Sequence, residues 1–218
     1  MTKSKTAVKN ADEFERLNSK RGEQMKYLGK PAGMWALFAK HLTVEFDLTA
    51  EQAKDVAARA KKKYREIIAK LPEFDKRDRF EMNIVNCAML AAFILCMPQR
   101  PDIKTLTDYY AAAMMTPTMK AFCRASGKKK FTPKDIEGMK ATAKLRAGDR
   151  NPYSWNMDFF EYENGSGYEA RFTTCGICTL MQVLGLYDLT PALCHLDYAM
   201  SDAGGASDFV REYTLASG

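Results

Sequence analysis

RFTTCGICTLMQVLGLYDLTPALCHLDYAM, from Arg171 to Met200, reads as strand, turn, helix and helix in succession, and that reading decides the fold. Apolar and polar residues alternate over Tyr168–Thr174, the period of a half-buried strand. Cys175-Gly176-Ile177-Cys178 follows as a turn into an apolar segment, Thr179–Leu184, closed by Gly185. Thr190-Pro191 then opens a helix running to about Asp202, where Gly204-Gly205 breaks it. Upstream, Tyr153–Tyr162 is rich in aromatic residues, and Asn164-Gly165-Ser166-Gly167 is a turn signal, so 153–174 reads as a β-hairpin. Downstream, Phe209–Leu215 reads as a third strand.

Everything before this region reads as helix. Thr49 with Gln52 makes a capping-box pattern ahead of Ala50–Lys70, and Pro72 ends that helix. Phe80–Met97 is apolar on nearly every face and should be the central buried helix, stopped by Pro98. Asp102–Met115, Thr118–Ser126 and a helix from Thr132-Pro133 to Gly148 complete the set, after a short Gly33–Leu42 helix carrying Trp35 and Phe38. The expected class is therefore α+β. A helical N-terminal half, residues 1–148, packs on a small antiparallel β-sheet with C-terminal helices, and 149–218 carries the cysteine motif. The whole chain, 1–218, is expected to form a single domain.

Composition narrows the function. The 218 residues are 46% apolar, enough for a real core. The 33 basic and 27 acidic residues give a net charge of +6. The excess lies in short runs, Lys61–Lys63 and Lys128–Lys130, which read as solvated surface rather than a nucleic-acid stripe. The start, Met-Thr-Lys-Ser-Lys, has no apolar segment after its charges and does not read as a secretory signal. The longest apolar run, Cys87–Met97, is too short to cross a bilayer. A cytoplasmic protein is expected, with no membrane and no nucleic-acid partner, a small-molecule substrate, and reduced thiols at its six cysteines. The oligomeric state is left open by the sequence.

The chemistry concentrates in the last quarter. Cys175 sits where a strand hands over to a helix N-terminus, where free N–H groups and the helix dipole favour thiolate. Cys178 lies one turn on. Cys194 and Asp197 are three apart and share a helix face. Two functional readings follow. In one, the site holds a nucleophile or an activated water, with Asp197 as general acid or base. In the other, Cys175, Cys178 and Cys194 bind a metal, zinc being the natural candidate, with His195 or Asp197 as fourth ligand. Against both stands plain packing, which is the better reading for Cys178, for Cys87, Cys96 and Cys123 on their apolar helices and for His41 beside Trp35 and Phe38. No phosphate loop, dinucleotide fingerprint or nucleophile elbow occurs.

The run from Arg171 to Gly218 resembles the C-terminal signature of the L-2-amino-thiazoline-4-carboxylic acid hydrolase family. The resemblance rests on Cys175 after a strand, a helix end at Gly185, and the Leu-Cys-x-x-Asp-Tyr element at Cys194, Asp197 and Tyr198. A final strand with Arg211 and a Thr-Leu-Ala-x-Gly ending at Gly218 completes it. The first half is compatible but less specific. Members of that family typically continue with a further Gly and a Cys-Asp pair in the last strand, so against that pattern the chain is either clipped at Gly218 or lacks a third cysteine of the site. It implies a hydrolase acting on non-peptide C–N bonds of cyclic amidine-like substrates, opening a thiazoline-type C–N/C–S system by attack of water or thiolate. Cys175, Cys194 and Asp197 would be catalytic. Arg211 or Arg171, with Tyr198, would bind the substrate and its carboxylate. The competing class is a non-enzymatic small-molecule or metal-binding module using the same cysteines.

Overall fold

The computed structural model describes residues 32–74 and 80–216. The N-terminal Met-Thr-Lys-Ser-Lys and Gly218 lie outside them. Among the described residues six helices come first: α1 (Ala32–Glu45), α2 (Ala50–Ile68), α3 (Glu81–Ile94), α4 (Ile103–Met114), α5 (Pro117–Gly127) and α6 (Pro133–Arg146). Their starts follow the capping residues. Thr49 and Gln52 form the capping box of α2, and Asp102, Thr116 and Thr132 each accept a first-turn N–H at α4, α5 and α6. Thr116, not Thr118, starts α5, because Pro117 fits the first helical position.

α3 is the central buried helix, with ten consecutive or near-consecutive buried positions from Ile84 to Ile94. Around it close Trp35, Phe38, Tyr64 and Tyr109. Trp35 meets Tyr64 edge to face at 5.4 Å and Phe93 at 5.2 Å; Phe38 stacks on Phe93 at 5.5 Å. The Tyr109 hydroxyl donates to Phe38 O at 3.0 Å, so its one polar atom in this core is paired.

Strands β1 (Asn156–Glu161) and β2 (Tyr168–Thr174) form an antiparallel hairpin, with Met157 opposite Phe172 and Glu161 opposite Tyr168. Its turn holds Gly165 at φ 68°. The class is α+β, as expected, but among the described residues the sheet has two strands, not three. Residues 209–215 are irregular. They lie against the last helices, where no strand edge offers a ladder. Side chains hold them instead: Tyr187 Oη donates to Leu215 O at 2.8 Å, and Arg211 reaches inward.

The hairpin's helical neighbour is α6, through β1, so it sits at the margin of the helical half rather than under it. The helical half packs chiefly on the C-terminal helices. These are α7 (Gly176–Val183), α8 (Thr190–Cys194), preceded by a 3-10 turn at Tyr187–Leu189, and α9 (Leu196–Gly204). α7 packs on α3, α8 on α4 and α9 on α5. The single helix expected from Thr190 to Asp202 is two helices meeting at His195. Gly205, at φ 64°, ends the second. Among the described residues no helix is long and apolar enough to cross a membrane.

Candidate active site

Cys175 is the N-cap of α7, with extended backbone at φ −137° and ψ 114°. The turn into the helix is tight. A Cβ on Gly176 would stand 2.0 Å from the Tyr153 carbonyl oxygen and 3.0 Å from Ile84 Cδ1, so only glycine lets the strand end press this closely on α3. Thr179 N–H donates to Cys175 O at 3.1 Å, which closes the first turn and leaves Cys178 about one turn on from Cys175. No side-chain oxygen caps this helix, and its first-turn amides face the Cys175 sulfur.

The electrostatics follow. The Cys175 thiol is pulled down to about 6, chiefly by the hydrogen bond from the Cys178 thiol. Burial opposes this, and the amides of Cys178 and Ile177 and the Trp155 indole reinforce it. Cys178 is pushed up, because its proton is held by the Cys175 sulfur and because it is buried. The pair thus keeps one proton on Cys178 and a charge on Cys175. Trp155 itself is buried and packs on Phe80 at 5.1 Å. Its loop is tied down by Arg146, which pairs with Asp149 at 2.7 Å and donates to Ser154 Oγ at 2.9 Å.

Cys194 ends α8 and is half-buried. Burial raises its thiol, Arg211 counters, and the Cys175 charge raises it further, so the two cysteines lie within electrostatic reach of each other. The Thr214 side chain hydrogen-bonds it from the C-terminal segment. Cys87, fully buried on α3, also senses Cys175 and Cys194, and it is raised mainly by burial. The sequence places Cys87 in the core, and its burial agrees; no spacing in the sequence relates it to Cys175, since the contact of Ile84 with Gly176 exists only in the fold.

Asp197 opens α9 on the outer side. Arg211 Nη2 donates to Asp197 Oδ2 at 2.5 Å and Nη1 to Cys194 O at 3.0 Å. The guanidinium also stacks over Phe209 at 4.8 Å and Tyr198 at 5.6 Å. Arg211 therefore fastens the irregular C-terminal segment across the α8–α9 junction. Tyr198 meets Phe209 edge to face at 5.1 Å. Arg171 is exposed on β2, bonded to Glu169 at 3.0 Å and lying over Phe160 at 5.1 Å. Four residues of strand, ~13 Å, separate it from Cys175.

The metal reading fits less well. His195 is exposed and its ring lies 5.8 Å from that of Tyr198. Among the described residues no three His, Cys, Asp or Glu side chains come together as a ligand set. An open groove of about 680 Å³ between α1 and α2 is lined by alanines, Thr43 and the cations Lys54, Lys61, Lys62 and Arg65, with no cysteine among them.

A family model described as L-2-amino-thiazoline-4-carboxylic acid hydrolase matches residues 77–218, well over half of the chain and all of the thiol cluster. Comparison with curated proteins and with solved structures gives no match.

Proposed function

Since the chain belongs to the L-2-amino-thiazoline-4-carboxylic acid hydrolase family, we propose that it hydrolyses a small cyclic amidine of the thiazoline type, with Cys175 as nucleophile. The observation that carries the reading is the Cys175 sulfur at the open helix end, ionised near neutral pH by the Cys178 proton and the first-turn amides. A ring carbon between nitrogen and sulfur is electrophilic, and a thiolate adds to it. The tetrahedral adduct collapses with cleavage of the ring C–S bond, and the ring sulfur leaves as thiolate. Cys178 is the nearest proton source for that sulfur. Water then adds to the carbon now bound to Cys175 and the Cys175 thiolate is expelled, leaving a urea-type product; the proton taken from water returns through solvent to Cys178, and the enzyme is restored. Asp197 is the candidate base for that water, oriented by Arg211. Arg211 has two of its nitrogens engaged, so any hold on a substrate carboxylate falls to its remaining N–H groups and to Tyr198. Arg171 is the weaker candidate for that role, since Glu169 already neutralises it.

The test is turnover of 2-amino-thiazoline-4-carboxylate, followed by the appearance of a free thiol. Cys175→Ser is expected to abolish turnover and Asp197→Asn to reduce it by about 10²-fold or more, the usual worth of a general base. Full turnover by Cys175→Ser removes the covalent route. Saturable binding of the ring with no turnover in the wild-type chain would favour a binding module.

A further inference from the structure

Cys175 and Cys178 are more than a nucleophile and its proton donor. They stand one turn apart at the start of one helix, and both are half-buried, so neither is sealed from solvent. Positions related in this way fall within the span that a disulfide bridges, ~4.4–6.8 Å between Cα atoms. Cys194, the next thiol, is on another helix, and its carbonyl is gripped by Arg211. We propose that Cys175 and Cys178 form a thiol–disulfide exchange site that takes small disulfides of the glutathione type and closes to an intramolecular disulfide, withdrawing the nucleophile.

The steps balance without another redox partner. The Cys175 thiolate attacks one sulfur of R–S–S–R. A Cys175–S–R bond forms, and the first R–S⁻ leaves and is protonated by solvent. The negative charge that held the proton on Cys178 has then gone. Cys178 releases its proton to solvent, attacks the Cys175 sulfur and displaces the second R–S⁻, which is protonated in turn. Two protein thiols are oxidised and one small disulfide is reduced to two thiols. The ionised member attacks and the protonated member resolves, the division of labour that this chemistry requires.

The inference shares its thiolate with the proposed hydrolysis but needs no turnover, so the two can fail separately. The experiment incubates the full chain with oxidised glutathione, then alkylates it under denaturing conditions and maps it by mass spectrometry. Alkylatable thiols are expected to fall by two from six, both lost from the peptide holding Cys175 and Cys178, and dithiothreitol should restore all six. Cys178→Ser should hold one glutathione on Cys175, because nothing resolves it; Cys178→Ala serves as a second, apolar version of the same test. Three results would overturn the proposal: a wild-type chain that keeps six thiols, a bridge from Cys175 to Cys194, or resolving-cysteine variants that carry no glutathione on Cys175. A chain that closes the bridge but never opens a thiazoline keeps this inference and loses only the hydrolase reading.

Discussion

Burial alone would raise the Cys175 thiol; the charge survives because one S–H, two amides and an indole N–H point at it. Reaction of Cys175 with a small alkylating agent should therefore rise with pH to a midpoint near 6, not near the ordinary 9.0. Cys87, fully buried and raised, should react slowly throughout; equal rates for the two would show that Cys175 is merely packed. The same ionisation bears on stability. Between about 6 and 9 the folded chain has lost the Cys175 proton while the unfolded chain keeps it, so stability rises with pH across this window. Below 6 that contribution is lost, and above 9 Cys178, which ionises only in the unfolded chain, reverses the trend. Cys175→Ser should remove the rise between 6 and 9 in denaturant midpoints measured against pH. The CGIC motif announced this residue, because the N-cap position follows from strand and helix signals. Trp155 was not announced. It reaches Cys175 through a loop fixed by Arg146 and Ser154, and no spacing in the sequence encodes that.

The handover from β2 to α7 depends on Gly176. Adding a methyl group there forces a Cβ to 2.0 Å from a backbone carbonyl, which has no rotamer to turn aside. Gly176→Ala should cost ~1–3 kcal/mol, typical of overpacking, and slow Cys175 labelling as the sulfur leaves its amides. Unchanged labelling at reduced stability would mean that the cap geometry does not need the close approach. At the α8–α9 junction, Arg211→Gln should lower stability by about 1 kcal/mol or less, since Asp197 is largely exposed. It should also make Cys194 less reactive, because Arg211 is what holds its thiol down. The helices were legible wherever a cap or a proline declared them: Thr49 with Gln52, Thr132 with Pro133. Phe209–Leu215 misled because a strand-like segment becomes a strand only if an edge is there to pair with; here Arg211 and Thr214 turn inward and Val210 is 81% exposed. The break at His195 has no glycine or proline to mark it. It is set by α8 packing on α4 while α9 packs on α5.

α3 was recognisable as the centre of the molecule from its all-round apolarity, and its burial bears that out. Which helix meets which was not recognisable, because pairing depends on side-chain shape across long separations. Phe93, between Trp35 and Phe38, should be among the most costly positions: Phe93→Ala is expected to lose ~3–5 kcal/mol in denaturant titration. The last helix joins this frame at its thinnest point. A Cβ on Gly127 of α5 would lie 2.4 Å from the Gly204 oxygen of α9, so the two backbones touch without side chains between them. Such a contact links distant parts of the chain, and the loop-closure entropy must be met before the contact gives anything back. It orders events in time. The helices α1 to α4 can assemble by shorter closures, whereas α7, α8 and α9, and with them Cys175 and the Cys194 wall of the site, dock late. Pulsed alkylation during refolding should find Cys87 shielded first and Cys194 and Cys123, the latter beneath Gly204, shielded last. Each new molecule would thus gather its N-terminal helices first, and would finish its core and become chemically competent in the same late step, as the C-terminal helices close and two glycines meet.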